Sequence, residues 1–542
     1  MKRTLGFLAV LFLSTIAFAQ DTDDRPKLVI GIVVDQMRND YLTRYADLYG
    51  EGGFKRLMKD GFYGANHRFS YMPTTTGPGH ASVYTGTTPG VHSIVANDWY
   101  DPITKEGMYC VEDRSVKTIG AENAAGQMSP KNLKTTTVTD ELKLFWNQRS
   151  KVIGVSLKDR GAVLPAGHLA SGAYWYKDKK FITSSYYMDE LPPWVNDFNN
   201  RNLVDTFLAK GWQPLLAKSV YTASLPDKNV YESVYEGEKY PTLPKDLLDL
   251  TEQNDPEEVL KRSPWGNSLI LEFGLAALIN EELGQDDITD FLALSFSSPD
   301  YMGHAYGPRA VEVQDMYLKL DNDLSMFFEF LDKYVGKGKY TVMLTADHGA
   351  ADVAQFSMDN NLPGGYFDRK TSKDLLEGIL LDYDSLGVEL IEEMEGNHIF
   401  FNHEKLKEVE IAAQDLADYL AHEMSRMPGI YGAYSANRIR MSGSSEFPIV
   451  NLQRGLHPSL AGDIVFVMES GWMRYGSTGT THGSPWVYDQ HVPLLFYGFG
   501  VEKGKTYRET NIRDIAPTLS VIMGIPFPSG TTGSPITEAI ED

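Results

Sequence analysis

The chain alternates between short apolar runs and longer stretches of mixed polarity. Residues 28–34 are almost entirely apolar and are followed at once by Asp35. A continuous apolar run of this length is typical of a strand that is buried on both faces of a parallel sheet. Similar runs recur later in the chain, at 291–297, 340–346, 463–468 and 492–498.

Helical patterns lie between these predicted strands. Residues 309–335 place their apolar side chains on one broad side of a predicted helix, and residues 511–523 repeat the pattern near the C-terminus. Strands that alternate with helices favour an α/β protein. We therefore predict a central, mostly parallel sheet flanked by helices.

Two stretches differ from this alternation. Residues 163–284 are rich in Tyr, Trp, Pro and Lys, and residues 358–455 combine acidic helical patterns with glycine-rich turns. We interpret the first as a cap insertion and the second as a further insertion into one catalytic core. That core is predicted to combine 26–162, 285–357 and 456–540.

The N-terminus has the pattern of a secretory signal. Lys2 and Arg3 precede a short apolar core, and a small-x-small site ends at Ala19. The apolar run is shorter than the roughly 20 residues that a membrane span needs. We expect cleavage after Ala19, a periplasmic or secreted protein, and no stable membrane insertion.

Composition narrows the possible functions. A hydrophobic content of 42 % suits a large core, and a net charge of −23 argues against a general nucleic-acid binder. Cys110 is the single cysteine, so neither an intrachain disulfide nor a cysteine-based zinc site can form. Any metal must bind to His, Asp and Glu.

Several Asp and His residues follow predicted strands or lie in loops between them. In a parallel sheet the carboxyl ends of the strands share one edge, where open α/β sheets bind ligands. Taken singly, each residue has an ordinary structural interpretation, such as a helix cap or a loop histidine. Together they form one candidate set, which comprises Asp35, Asp300, His304, Asp347, His348 and His482.

This set predicts a metal centre. Oxygen and nitrogen ligands without thiolates suit a pair of zinc ions, and six ligands split into two triads leave open positions for catalysis. Three carboxylates against two Zn²⁺ leave a net positive site, which attracts an anion.

Thr76 is the candidate nucleophile. It precedes Gly77 and Pro78 at a predicted helix start. The N-terminus of a helix binds anions such as phosphoryl groups. The alternative is that Thr76 only caps the helix.

The same motifs carry a family resemblance over residues 26–540. The chain resembles the alkaline phosphatase superfamily, and within it the phosphate-irrepressible, PafA-type alkaline phosphatases. The motifs occur in the family's order. They are VVDQMRNDY (33–41), PTTTGPGH (73–80), NDWYD (97–101), SLKDRGAVLPAGH (156–168), SSPDYMGHAYGP (297–308), TADHGA (345–350), GTTHG (479–483) and DIAPTLS (514–520).

The resemblance implies roles for individual residues. One zinc would bind Asp300, His304 and His482, and the other would bind Asp35, Asp347 and His348 together with the Thr76 oxygen. The three residues implied to contact the phosphoryl oxygens are Asn97, Lys158 and Arg160. We expect Lys158 and Arg160 to converge from an extended segment, because alternate residues of a strand point the same way. Gly77-Pro78 departs from the family pattern and could change the rigidity of the nucleophile loop.

The implied function is hydrolysis of a broad range of phosphate monoesters to inorganic phosphate through a phosphothreonine intermediate, in a monomeric enzyme. A phosphodiesterase of the nucleotide pyrophosphatase type is the main alternative, and Lys158 and Arg160 favour the monoesterase. The chain lacks the motif that a sulfatase requires. A non-enzymatic metal-binding module would give Thr76 no role.

Overall fold

A computed structural model describes residues 25–367, 369–383 and 387–541. The predicted signal peptide, residues 1–19, lies outside the described residues. A ten-stranded mixed sheet forms the centre of the protein and confirms the predicted α/β class. In spatial order its strands are Gly504–Thr506, Phe62–Gly64, Leu494–Gly498, Tyr340–Thr345, Leu28–Val34, Asp290–Phe296, Val152–Ser156, Gly172–Lys177, Lys180–Ser184 and Thr118–Ile119.

The middle of this sheet is parallel. Leu28–Val34 pairs in parallel with Asp290–Phe296 on one side and with Tyr340–Thr345 on the other. Every residue of Leu28–Val34 and of Asp290–Phe296 is buried, which explains why both runs are mainly apolar. In register, Val33 lies between Ser295 and Thr345, so the three strands end together.

Two predicted strands behave differently from the expectation. Leu494–Gly498 lies in the central sheet but runs antiparallel to Tyr340–Thr345. Ile464–Met468 forms, but it belongs to another sheet, where it pairs antiparallel with its neighbours. Apolar composition identified both strands and could not determine their partners or directions.

Helices cover the central sheet. The long predicted helix is present as Val311–Leu331, and the C-terminal one as Ile515–Met523. Other helices near the sheet and the site are Thr76–Thr85, Val138–Phe145, Asp159–Ala166, Trp265–Asn280 and Ser298–Tyr306.

A second unit contains a four-stranded sheet, which we call the smaller sheet. Its strands, in spatial order, are Ile391–Glu395, His398–Phe401, Ile464–Met468 and Ile430–Ser435. Its helices include Arg369–Tyr383, Ala413–Met424 and Ile449–Gly455. Strands Gly172–Lys177 and Lys180–Ser184 extend the central sheet into the range predicted as a cap, and the domain boundaries stay predictions.

Candidate active site

The candidate metal ligands meet at one edge of the central sheet. Asp35 directly follows Leu28–Val34, and Asp347 follows Tyr340–Thr345. Asp300 lies in the first turn of helix Ser298–Tyr306, just after the neighbouring strand. His482 reaches the same edge because its loop precedes the antiparallel strand Leu494–Gly498, whose first residue lies opposite Thr345.

Asp300, His304 and His482 form the first candidate metal group. The Nε2 atoms of His304 and His482 lie 3.3 Å and 3.5 Å from Asp300 Oδ1. Each histidine places Nδ1 against a backbone carbonyl, that of Thr480 at 2.7 Å and that of Thr74 at 2.8 Å. A carbonyl can only accept, so Nδ1 carries the proton and Nε2 keeps its lone pair for a metal.

Asp35, Asp347 and His348 surround a second position. His348 Nε2 lies 3.4 Å from Asp35 Oδ1 and 3.7 Å from Asp347 Oδ2. All three of these atoms are buried and find no hydrogen-bond partner within the described part of the chain. Asp300 also approaches this position, since Asp35, Asp300 and His348 can offer ligand atoms within 4.8 Å of one another.

Lys158 links the two groups. Its Nζ donates to Asp35 Oδ2 and to Asp300 Oδ2, each at 2.6 Å, and its side chain is buried. Burial alone would lower the pKa of Lys158, but the two carboxylates raise it above its usual value. The ammonium therefore stays charged at the junction of the two groups.

The carboxylates differ in their affinity for protons. Burial raises the pKa of Asp35, and the neighbouring charges of Asp300 and Asp347 raise it further. Burial would also raise the pKa of Asp300, but Lys158 and His304 hold it well below its usual range. This edge thus concentrates negative charge that cations stabilise.

The nucleophile candidate lies beside these groups. Thr76 is the first residue of helix Thr76–Thr85 and is 1 % exposed, whereas Thr75 occupies the N-cap position. The interpretation of Thr76 as a simple N-cap is therefore wrong. His80 joins this helix to the metal ligands, because its Nδ1 lies 2.9 Å from the Thr76 carbonyl oxygen and 3.3 Å from Asp347 Oδ2.

The residues after Thr76 allow a close approach. Gly77 N donates to Asn97 Oδ1 at 2.7 Å, which orients the amide and leaves Nδ2 as its donor. A Cβ on Gly79 would lie 2.2 Å from the Asp347 carbonyl oxygen, so only glycine lets the helix pack against this strand end. Pro78 is in the first turn, where proline is tolerated.

The expected extended arrangement of Lys158 and Arg160 is wrong. Lys158 has extended backbone, but helix Asp159–Ala166 begins with the next residue, so the two residues do not lie on one extended segment. The Arg160 guanidinium is held by Tyr109, whose hydroxyl accepts from Nη1 at 3.1 Å. The same hydroxyl contacts the Asp159 carboxylate.

Sequence reasoning missed two residues that position this site. Gln36 donates from Nε2 to Asp300 Oδ1 at 2.7 Å and from its backbone N to Asp347 Oδ1 at 3.1 Å. Its place directly after Asp35 was the available signal. Tyr109 belongs to the hairpin strand Glu106–Tyr109, and nothing near it in the sequence indicates its contact with Arg160.

Comparisons with known proteins identify the family of this chain. The family model described as type I phosphodiesterase / nucleotide pyrophosphatase matches residues 29–492. A protein of Myroides odoratus named calcium-transporting ATPase is 42 % identical, over 100 % of this chain and 99 % of its own. Alkaline phosphatase PafA of Elizabethkingia meningoseptica is also 42 % identical, over 98 % of both chains.

Solved structures of alkaline phosphatase PafA are similar to this chain. The crystal structure of alkaline phosphatase PafA superposes with a TM-score of 0.91 at 42 % identity, over 95 % of this chain and 99 % of that one. A PafA variant also matches, with a TM-score of 0.90 at 41 % identity over the same shares of the two chains. In that variant one threonine is replaced by serine, and an asparagine, a lysine and an arginine by alanine.

The chain belongs to the type I phosphodiesterase / nucleotide pyrophosphatase family and, within it, to the alkaline phosphatases of the PafA type. It is a phosphomonoesterase enzyme with an alkaline-phosphatase-like fold. Alkaline phosphatase relatives imply a metal cofactor, and the two groups described above are its candidate ligands. Among the described residues, no helix combines the length and the apolar composition that crossing a membrane requires.

Proposed function

We propose that this enzyme hydrolyses a broad range of phosphate monoesters through a phosphothreonine formed on Thr76. The observation that carries the proposal is the position of Thr76 at a helix N-terminus, joined through His80 to Asp347. The PafA variant supports it, because the residue types replaced there occur here in the same order as Thr76, Asn97, Lys158 and Arg160.

The donor set fits two zinc ions per chain. Asp300, His304 and His482 would hold one ion, with the two histidines already presenting Nε2. The second would bind Asp35, Asp347 and His348, whose partnerless buried atoms need a cation. Thr76 would add its oxygen to this second set. When bound, the two ions would favour the ionised threonine hydroxyl and stabilise charge on the leaving-group oxygen.

The reaction on the chain itself has two steps. The Thr76 hydroxyl gives its proton to solvent and its oxygen attacks phosphorus, while the ester bond breaks with its electron pair going to the leaving group, which takes up a proton from solvent. Water then gives a proton to solvent and attacks the phosphothreonine, and the bond to the Thr76 oxygen breaks to release inorganic phosphate and a threonine that is protonated again. Because Gly77 N fixes the Asn97 carbonyl oxygen, the amide Nδ2 would donate to a phosphoryl oxygen in both steps.

Lys158 and Arg160 would favour monoesters over diesters. A monoester near neutral pH presents a dianionic phosphoryl group, and a diester presents a monoanion. The buried Lys158 ammonium and the Arg160 guanidinium held by Tyr109 add positive charge on this side of the site. Donors aimed at the charged phosphoryl oxygens supply much of the rate in phosphoryl transfer.

The same proposal includes the cellular setting. The chain would be exported after cleavage at Ala19 and act as a monomer in the periplasm or outside the cell. The basic, apolar and small-residue pattern of 1–19 and the periplasmic or secreted location typical of alkaline phosphatases support this.

Replacing Thr76 tests the proposal. Thr76→Ala should lose several orders of magnitude in kcat/KM for phenyl phosphate, and Thr76→Ser should keep much of it because the hydroxyl remains. Thr85→Ala is the matched control, since Thr85 is the last residue of the same helix and its hydroxyl donates to the Ala81 carbonyl oxygen. Near wild-type turnover by pure Thr76→Ala, or a comparable loss in Thr85→Ala, would contradict the assignment.

A further inference from the structure

A cavity of about 320 Å³ opens beside the candidate active site. Asn97, His482 and Thr75 line one end of it. The first two belong to the proposed catalytic machinery, so the cavity is continuous with the position of the phosphoryl group. Its volume lies in the range of small-molecule sites, which begins at about 300 Å³.

The walls of the cavity are mainly apolar and aromatic. Trp99 and Tyr100 enter from strand Asp98–Asp101, and Phe400 enters from the smaller sheet. The rings of Tyr100 and Phe400 pack edge to face with centroids 5.0 Å apart. Leu456 and Val465 complete this side. The cavity therefore offers ring faces and edges, which suit a flat apolar group.

The alternation along one strand shows why the smaller sheet has this face. In His398–Phe401, Ile399 and Phe401 pack into the core of the second unit, whereas His398 and Phe400 line the cavity. Successive side chains of a strand point to opposite faces. The smaller sheet thus buries one face under its own helices and turns the other toward the active site.

The lining includes the carboxylates of Asp98 and Glu395, but both residues are exposed to solvent. The other ionisable groups of the lining are held by protein contacts. His398 Nδ1 accepts from Gly462 N at 3.1 Å, and burial lowers the pKa of His398 to about 4, so its ring is neutral near pH 7. Arg474 donates to the Gly396 carbonyl oxygen at 2.6 Å and lies over the ring of Phe466, 5.0 Å from its centroid. These contacts leave walls that suit an uncharged occupant.

We propose that this cavity receives the leaving group of the phosphate monoester and favours flat, uncharged aromatic leaving groups. The inference rests on the proposed function. In an in-line displacement the leaving group departs opposite the nucleophile. Thr76 is assigned to the group of Asp35, Asp347 and His348, so the leaving group departs on the side of His482, where the cavity begins.

Direct binding of two non-hydrolysable phosphonates to the holoenzyme tests the proposal by calorimetry. Phenylphosphonate should bind about tenfold more tightly than methylphosphonate, because its ring would be buried against the apolar walls. Ala461→Phe adds a ring to the cavity lining and should remove most of that ratio, while the affinity for inorganic phosphate stays unchanged. Ala412→Phe adds the same ring at an exposed position of the second unit and is the matched control.

Phe400→Ala provides a second variant if Ala461→Phe lowers the melting temperature beyond use. It removes one ring from the wall and should reduce the phenyl-to-methyl ratio several-fold. A ratio near one in the wild type, or a ratio that Ala461→Phe and Phe400→Ala change no more than Ala412→Phe does, would overturn the proposal.

The failure of this inference is distinguishable from the failure of the proposed function. If phenyl phosphate is hydrolysed by the wild type and not by Thr76→Ala, the proposed function stands whatever the phosphonate ratio is. If Thr76→Ala keeps its turnover, the proposed function fails. The side of departure inferred from Thr76 then loses its basis, and the cavity proposal fails with it.

Discussion

The metal-ligand edge and the neighbouring cavity share His482 and otherwise have opposite chemistry. At the edge, burial alone would lower the pKa of His304, but the Asp300 carboxylate raises it. In the cavity, burial without a nearby carboxylate lowers the pKa of His398 to about 4. His304 and His398 thus differ because a carboxylate pairs with only one of them, whereas burial still lowers the pKa of His348 and His482 at the edge.

This difference separates two tasks of one enzyme. The edge gathers charge to hold cations and a phosphoryl dianion, and each ligand is fixed by the end of a strand or by a helix turn. The cavity is lined mainly by apolar and aromatic side chains, and it forms where the smaller sheet packs against segments of the core. We infer that the first region sets the reaction and the second sets which esters bind well.

Removal of the metal should abolish catalysis at the metal-ligand edge. Exhaustive chelation should abolish phosphate release, and zinc should restore it better than magnesium, because imidazole-rich sites disfavour hard ions. Elemental analysis of the active enzyme should find close to two zinc ions per chain. Full activity after chelation, with the metal content verified as zero, would refute the metal assignment.

Loss of both cationic side chains should reduce the rate by about two to four orders of magnitude. In Lys158→Ala/Arg160→Ala each lost charge-assisted contact is worth roughly 1.5–3 kcal/mol. An aryl phosphate should lose far more kcat/KM than its methyl diester. Lys261→Ala is the matched control, since Lys261 packs over the same Tyr301 ring as Lys158 but pairs with Glu257. Equal proportional losses on both substrates would instead favour the phosphodiesterase interpretation.

Removing the Tyr109 contact to the Arg160 guanidinium should reduce kcat/KM by a smaller factor. Tyr109→Phe removes the hydroxyl that contacts Arg160 Nη1 at 3.1 Å and should cost about tenfold in kcat/KM for a monoester. The expected change is mainly in KM, because Arg160 would remain charged but less well placed. Tyr186→Phe, which loses a hydrogen bond to the His168 carbonyl oxygen, is the control. A loss as large as that of Arg160→Ala would show that Tyr109 does more than position Arg160.

The smallest expected effect is on the pH dependence of stability, through the buried His398 of the cavity. The folded pKa of His398, about 4, lies below the ordinary value of 6.5, so the unfolded chain takes up a proton first as the pH falls. His398 therefore lowers the free energy of unfolding between about pH 6.5 and pH 4 and has no such effect above this window.

His398→Gln should accordingly become more stable relative to wild type by about 2–3 kcal/mol at pH 4.5, compared with their difference at pH 8. Melting temperatures at the two pH values measure this. His422→Gln, which replaces an exposed histidine of the same unit, gives the background. The same difference between variant and wild type at both pH values would contradict the assigned pKa.

Much of the charged region could be predicted from the sequence. Asp35, Asp300 and Asp347 stand out because each follows an apolar run, and parallel strands bring such positions to one edge. The placement of His482 depends on the antiparallel direction of strand Leu494–Gly498, which composition does not determine. The roles of Gln36 and Tyr109 could not be predicted from the sequence, because they depend on contacts between segments distant in sequence.

The cavity could not be predicted in the same way. Residues 463–468 have the apolar pattern of a central strand, yet they pair with His398–Phe401 and Ile430–Ser435 in the smaller sheet. Their partners are set by tertiary packing within the second unit rather than by local composition. The predicted arrangement of Lys158 and Arg160 is wrong for a related reason, because a helix begins at Asp159 where an extended segment was expected.

Identification of the phosphorylated residue tests the central claim most directly. The wild-type enzyme is mixed with a monoester, quenched in acid within one turnover, digested and analysed by mass spectrometry. We expect phosphate on Thr76, with none in Thr76→Ala and phosphoserine at the same position in Thr76→Ser. Phosphate on another residue, or none on Thr76 although product has formed in a burst, would contradict it.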